Sequence, residues 1–479
     1  MAPFIAHNDT SVVPLWTNNT DQPITTLIPV INAAQNKTVH YAASATLADA
    51  EAAIAAAAAA FETWSLSPLP QRRDILLKAA DLLHERAEEL DAMQSLETSS
   101  PPTFGREMAK GGAATVKELA CLITTACAGD LPHVDPGAAT SMITRHAIGP
   151  VLLISPWNGP TYLGPRGIAS ALAAGCTTVL KASELCPALY RLMCQVFADA
   201  GLPAGVLNQI VVRREDAAAI TEAIIADRRI RKVEFIGSAA VGSVIGALCG
   251  KYLKPIIMEL GGKCPAIICR DADLRAAAQA CAFGAYLHHG QICMSTDRII
   301  VVKDVAEEFT RYLEEETMKW AAMPSSAATK AFADKAHDAV ADAVAKGAKL
   351  IVGDNSYRTE SGLQPTVLTN ITREAKLFDE ESFGPIATLI VVGDEEEALQ
   401  VANSSSYGLN GCIWSGDRAH AISLARRMDG TIININGSTV VTDIPPTSYG
   451  QAVKGSGWGV VNGVPGIREF LVPKVILSR

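Results

Sequence analysis

The sequence predicts an α/β protein built on an open, mostly parallel sheet covered by helices on both faces, followed by a second alternating unit and a separate β-ribbon. Two observations carry this. From Met142 onward, short apolar strand-like runs alternate with longer helical patterns, and parallel strands need such crossovers to return the chain to the same end of a sheet. The composition, 49% hydrophobic with only 5% aromatic over 479 residues, is that of a large globular chain with a sizeable core.

The N-terminal stretch, with "SVVPLWTNNT" and "TTLIPVIN", reads as short strands and turns rich in Thr, Asn and Pro. "TLADAEAAIAAAAAAFETW" then begins a helix with Thr46 as its cap, and "LPQRRDILLKAADLLHERAEELDAMQSLET" reads as one further long amphipathic helix. The runs "GPVLLIS", "CTTVLKAS", "LNQIVVR", "RKVEFIG" and "PIIMEL" read as parallel strands, separated by helices over 162–174, 187–200, 216–227 and 240–251. A second series begins near Gly261, with "PAIICR", "RIIVV", "KLIVG", "ATLIVV", "GCIWS" and "GTIININ" as its strands. The segment "LPHVDPGAATSMITRHAIG" alternates as a two-stranded ribbon would. The ending "IREFLVPKVILSR" reads as an exposed strand with nothing after it to pair with, so a partner strand from another subunit is expected.

Charge and cysteine usage exclude several classes. A formal net charge of −9 without any clustered basic run argues against nucleic acid. The longest apolar stretch, residues 52–61, is too short and too alanine-rich to cross a bilayer, and the start "MAPFIAHNDT" lacks the shape of a secretion signal. The 11 cysteines are an odd number with no C-x-x-C, which points to free thiols in a reducing compartment and hence to the cytoplasm. No metal site is expected: His288 and His289 are adjacent, so on a helix their side chains diverge by roughly 100°, and no second Cys/His pair completes a set with Cys293.

Four local patterns could carry chemistry. Cys293, in "GQICMS", sits at a loop-like junction before a strand, where an accessible polar setting would let a thiol ionise and attack a carbonyl; position alone equally suits a buried spacer. Glu259, in "MELGGK", leaves an apolar strand into two glycines, as a partly desolvated general base would, or as a surface glutamate would. Asn158, in "SPWNGP", follows a strand on the crevice side of the sheet, fitted either to donate to an oxyanion or to cap a helix. Gly237 and Ser238 stand between a strand and a helix whose N-terminus could face a pyrophosphate, while "KASE" supplies Lys181 and Glu184 for ribose hydroxyls and "EESFGP" supplies Glu381 and Phe383.

In order and spacing, "SPWNGP", "KASE", "FIGSAAVG", "MELGGK", "GQIC", "EESFGP" and "VKGSGWG" resemble successive motifs of the aldehyde dehydrogenase superfamily over essentially the whole chain. The resemblance implies a Rossmann-like NAD-binding domain over 1–129 and 149–259, an α/β catalytic domain over 260–448, and an oligomerisation segment over 130–148 and 466–479 that docks on a neighbouring subunit in a homodimer or homotetramer. It makes Cys293 the nucleophile, Glu259 the general base and Asn158 the oxyanion donor. Cofactor contacts carried over are Ser155, Trp157, Lys181, Ser183, Glu184, Gly237, Ser238, Gly261, Glu381 and Phe383. Glu184 should repel a 2′-phosphate and favour NAD, while Ser183 beside it leaves NADP open.

The implied reaction oxidises an aldehyde to an acid through a thioester on Cys293. The stretches "PWNGPTYLGPR", "VLKASELCP" and "GSGWGVVNGVPGIREF" look most like the branch acting on salicylaldehyde, vanillin and benzaldehyde, which implies Tyr162, Arg166, His288, His289 and Ile292 around an aromatic ring. Succinate-semialdehyde dehydrogenases are the alternative, because Arg166 stands where that group grips a substrate carboxylate; its usual second arginine is replaced here by Leu287. A third reading, a silent scaffold with the same fold, is opposed by the joint presence of Cys293, Glu259 and Asn158.

Overall fold

The computed structural model describes residues 4–7, 10–133, 140–440 and 452–478. All five strands expected in the first series form, in the spatial order Ile256–Glu259, Lys232–Ile236, Val151–Ile154, Thr178–Ala182, Leu207–Val211, and they pair in parallel. Short antiparallel strands extend both edges, Gly457–Trp458 on one side and Trp16–Thr17 with Thr20–Asp21 on the other. Val151, Leu152, Val179, Leu180 and Val233 are fully buried, as side chains must be in a sheet with helices on both faces. The helices Pro160–Ala174 and Pro187–Asp199 both start with proline, whose missing N–H costs nothing there, and the first ends at Gly175 in the left-handed conformation (φ 92°). The strand order reverses beside Val151–Ile154. The crevice beyond the carboxyl ends of the strands therefore opens where Asn158 and Gly237 leave the sheet.

A seven-stranded sheet follows, ordered Lys349–Val352, Thr366–Thr369, Ile386–Val392, Thr296–Val302, Cys264–Ile268, Asn410–Trp414, Ile432–Ile435. Thr366–Thr369 was not among the expected strands; it is four residues long and directly follows Pro365, which blurs its apolar signal. Residues 441–448 of the proposed catalytic domain lie outside the described residues.

Three expectations are corrected. The long helix expected before the sheet is two helices, Leu69–Glu85 and Ala87–Thr98, meeting at Arg86, whose ψ of 13° turns the chain and whose guanidinium pairs with Asp199 at 2.5 Å. A further helix, Phe104–Cys127, was not anticipated. Its Gly111–Gly112 pair weakens helical propensity, yet a Cβ at Gly112 would stand 2.3 Å from the carbonyl oxygen of Thr161, so the glycine permits close contact with the helix Pro160–Ala174. Finally, the C-terminal strand is not unpaired. Leu471–Ser478 runs antiparallel to Thr140–Ala147, from Leu471 opposite Ala147 to Ser478 opposite Thr140, so each half of the ribbon comes from a different part of the chain. Residues 134–139 of the expected ribbon lie outside the described residues.

Thr46 caps the helix Leu47–Trp64 as expected, in a reciprocal capping box with Asp49. All 11 cysteines are free: eight are buried, Cys127 and Cys293 are half-buried, and Cys121 is exposed. Among the described residues no helix is long and apolar enough to cross a membrane.

Candidate active site

Cys293 lies in a short loop between the helix Leu274–Tyr286 and the strand Thr296–Val302. Before it, His288 (φ 50°), His289 (φ 60°) and Gly290 (φ 71°) turn the chain through three consecutive left-handed residues. Strain of that kind persists only where the surroundings enforce it. Here the Gln291 amide donates to the His288 carbonyl (3.0 Å), its oxygen accepts from the Ala328 N–H (2.9 Å), and the Ser295 hydroxyl donates to the Gly290 carbonyl (3.1 Å). The loop also presses on Gly262: a Cβ there would stand 2.5 Å from the Cys293 carbonyl oxygen.

Three groups expected in the chemistry meet at this loop. Cys293 Sγ is 3.9 Å from Glu259 Oε1. The Asn158 amide, buried, donates to the Gln291 carbonyl at 3.1 Å and so lies against the same loop. Burial, then the carboxylates of Glu259 and Glu381, push the Cys293 thiol well above the ordinary thiol range, while Arg166 opposes them. Cys293 is half-buried, so the expected access is kept, while burial and the two carboxylates disfavour the thiolate.

Arg166 is held by a carboxylate. Its guanidinium pairs with Glu259 Oε2 at 2.5 Å, with only 2% of the residue exposed. Burial works against its charge, but Glu259 and then Glu234 outweigh it and hold it protonated.

A cavity of about 520 Å³ ends on this group, and Asn158, Glu259 and Cys293 line it together with Tyr162, Arg166 and Ile292, as expected. His288 does not line it. Its ring stacks on Phe104 (4.6 Å, 22°), and neither nitrogen has a hydrogen-bond partner among the described residues. His289 is likewise buried, bonded to the Ser325 hydroxyl (2.6 Å) and to the Leu363 N–H (3.3 Å). Leu287, at the position of the second arginine, also lines the cavity, as do residues the sequence did not single out: Phe104, Met108 and Thr115 from the unanticipated helix, and Met294 and Leu409. An amphipathic reading of 104–127 would have found the three from that helix.

Comparison with known proteins now bears on this geometry. The profile of the aldehyde dehydrogenase family matches residues 16–476. The chain belongs to that family. The enzyme is 41% identical over 452 residues to a vanillin dehydrogenase of Pseudomonas fluorescens, covering 92% of each chain. It is 32% identical over 459 residues to a succinate-semialdehyde dehydrogenase of Paenarthrobacter nicotinovorans, covering 91% of this chain and 97% of the relative. Its fold matches the crystal structure of a salicylaldehyde dehydrogenase from Pseudomonas putida G7 complexed with salicylaldehyde, with a TM-score of 0.93 at 32% identity over 97% of this chain and 98% of the other. It is an aldehyde-oxidising oxidoreductase, of a family that uses NAD or NADP.

On the dehydrogenase's other side, the expected cofactor residues gather at the carboxyl ends of adjacent parallel strands. Ser155 follows Val151–Ile154, and its N–H donates to the Lys181 carbonyl (3.3 Å); Ser183 and Glu184 follow Thr178–Ala182. Burial lowers the Lys181 pKa, while Glu184 opposes that shift. Ser238 caps the helix Ala239–Lys251 by accepting from the Val241 N–H (3.4 Å), and the Gly237 N–H ties this turn to the Glu259 carbonyl (3.1 Å). Trp157 stacks on Phe332 (5.0 Å) and meets the edge of Phe383 (5.8 Å).

Glu381 accepts from the Gly262 N–H at 3.0 Å, and a Cβ at Gly261 would stand 2.5 Å from its carboxylate, so both glycines make room for it. Burial pushes Glu381 up to about 7. The buried Lys263–Asp297 pair (2.6 Å), with Asp297 accepting from the Ser382 N–H and hydroxyl (both 3.1 Å), fastens the Glu381 loop to the Gly261–Gly262 turn.

Proposed function

We propose that the enzyme oxidises aromatic aldehydes of the salicylaldehyde, vanillin and benzaldehyde type to carboxylic acids, with NAD as the preferred acceptor. The observation that carries this reading is the cavity: its walls include Phe104, Tyr162, Met108, Leu287, Ile292 and Met294, and it ends at the Cys293–Glu259 pair. Such walls suit a flat apolar ring with a few polar groups. Vanillin and salicylaldehyde are the substrates named for similar proteins. The succinate-semialdehyde reading weakens, because the Arg166 guanidinium is engaged by Glu259 and Leu287 occupies the position of the second arginine.

The residues at the crevice fit a dinucleotide. The capped N-terminus of Ala239–Lys251 would hold the pyrophosphate, Lys181 and Glu184 the adenosine ribose, Glu381 the second ribose, and Trp157 and Phe383 would contact the nicotinamide end. Ser183 and Gly261 complete the contacts, and the Glu184 carboxylate favours NAD over NADP. The bound dinucleotide supplies the hydride acceptor.

Cys293 adds to the aldehyde carbon as the thiolate, its proton released to solvent, and the oxygen that gains charge is held by the Asn158 amide and the Cys293 N–H. Loss of hydride from that carbon leaves a thioester on Cys293. Glu259 takes a proton from water as the water oxygen adds to the acyl carbon, and the C–S bond breaks to release the acid and the thiolate. The free state of all 11 cysteines is consistent with a reducing, cytoplasmic setting, and the ribbon with a homodimer or homotetramer.

Reduction of NAD, followed by absorbance with salicylaldehyde, vanillin, benzaldehyde, succinate semialdehyde and a short alkanal, tests this. Aromatic aldehydes should give the highest kcat/KM, and Cys293→Ala should abolish turnover. A wide preference for succinate semialdehyde would refute the aromatic assignment; no turnover of any aldehyde would favour a silent scaffold.

A further inference from the structure

We propose that Glu234 is a positioning residue for deacylation: it is the second carboxylate partner of Arg166 and takes up the guanidinium when Glu259 accepts its proton from water. This rests on the reading of Glu259 as the base. In the parallel register, Glu234 lies beside Ile257 and Ile236 beside Glu259. Registered neighbours share a face, as do residues two apart on a strand, so Glu234 and Glu259 project from the same face of the sheet. With strands about 4.8 Å apart and two residues spanning about 6.6 Å, their Cα atoms lie roughly 8 Å apart.

The helix Pro160–Ala174 packs over that face and inserts Arg166 there. A Cβ at Gly167, the next residue, would stand 3.0 and 3.2 Å from the two Glu234 carboxylate oxygens, so the missing side chain makes room for this acid. Glu234 and Arg166 are 4% and 2% exposed, and each keeps one buried polar atom without a partner among the described residues: Oε2 of Glu234, an acceptor, and Nε of Arg166, a donor. In this arrangement Arg166 pairs with Glu259 and not with Glu234, and burying an unmet acceptor and an unmet donor is costly unless a second arrangement joins them.

Protonation of Glu259 supplies the occasion. With Glu259 neutral, Arg166 would be a buried cation without its anion, and Glu234 is the remaining carboxylate on that face. The other charged groups nearby are already engaged or lie elsewhere. Lys232, on the Glu234 strand, pairs with Glu469 at 2.6 Å; Glu381 accepts from the Gly262 N–H; Cys293 Sγ lies 3.9 Å from Glu259 Oε1; Tyr162 shares the Arg166 helix.

Burial raises the Glu234 pKa and Arg166 lowers it, and when ionised this carboxylate offsets the attraction that Arg166 exerts on a charged Glu259. Replacing Glu234 by a neutral isostere leaves that pull unopposed, so Glu259 becomes a weaker base.

The test is the acyl-enzyme itself, followed by rapid-quench intact-mass measurement of the NAD-bound enzyme with benzaldehyde. In Glu234→Gln the acyl adduct should form at nearly the wild-type rate but decay roughly threefold to tenfold more slowly. The acid limb of its decay-rate profile should move down by about one pH unit. An unshifted limb with wild-type decay overturns the proposal, as does equal slowing of formation and decay. If Glu234→Gln does not fold, Glu234→Asp carries the test: the charge is kept, so decay slows with the limb in place, whereas a displaced limb or equal slowing of both steps overturns the proposal. Glu259→Gln is the control that separates the two readings. It should trap the adduct, and absence of any adduct on Cys293 would overturn the base and nucleophile assignments on which the proposal rests.

Discussion

At His288 the imidazole stacks on Phe104 without hydrogen bonds to the described residues, and burial pushes its pKa down to about 3. The unfolded chain binds a proton at such a histidine below about pH 6.5, but the folded chain does not until about pH 3. Stability is therefore present in full above the unfolded value and is lost as pH falls toward the folded one, by about 1.4 kcal/mol per unit for each such group. His289 is pushed down to about 3 as well, by burial and by His288, and acts in the same window. His288→Phe should keep the ring contact and remove one titration. The drop in unfolding free energy between pH 8 and pH 5, measured by denaturant titration, should shrink by about 2 kcal/mol. An unchanged drop would mean that His288 accepts a proton in the folded state. Its place behind the cavity wall was not legible locally, because two positive-φ histidines look like any others in a sequence. The turns at Cys293, Glu259 and Asn158 left a bland reading open for each, and it was the order and spacing of their motifs, resembling those of the family, that singled them out. The burial and carboxylates around the thiol and the engagement of Arg166 were not legible, since both are set by neighbours distant in the chain.

The strands of the first sheet were legible because a parallel strand buried on both faces reads as a continuous apolar run. Helices were harder. The joint at Arg86 leaves the apolar period intact on both sides, and Gly111 and Gly112 mask Phe104–Cys127, although that helix walls the cavity. The turn joining Ile256–Glu259 to Cys264–Ile268 is where backbone economy bears on rate. Gly262→Ala would place a methyl 2.5 Å from the Cys293 carbonyl oxygen, and that atom belongs to backbone that must shift to admit it. A displacement of this size at the nucleophile should lower kcat by about a hundredfold while far-ultraviolet circular dichroism stays unchanged. Wild-type turnover in this variant would show that the loop tolerates the shift and that its position is not held by Gly262.

Across the whole molecule, the ribbon of Thr140–Ala147 and Leu471–Ser478 leaves Val475 and Leu477, two residues apart and thus on one face, at 59% and 69% exposure. Apolar side chains that exposed on a two-stranded element suit a subunit contact. In sedimentation velocity, Val475→Asp with Leu477→Asp should convert the proposed homo-oligomer into a slower-moving monomer; an unchanged coefficient would place the contact elsewhere. The pairing of this ribbon within one chain escaped the sequence because its halves are separated by most of the polypeptide.

The distribution of sulfur has a practical corollary. Eight of the thiols are buried in the folded interior, so a bulky alkylating probe applied to native enzyme meets only Cys121, Cys127 and Cys293. Once Cys121 is changed to serine, a colorimetric thiol count, with and without aldehyde protection, becomes a direct assay of how many reactive centres a preparation contains.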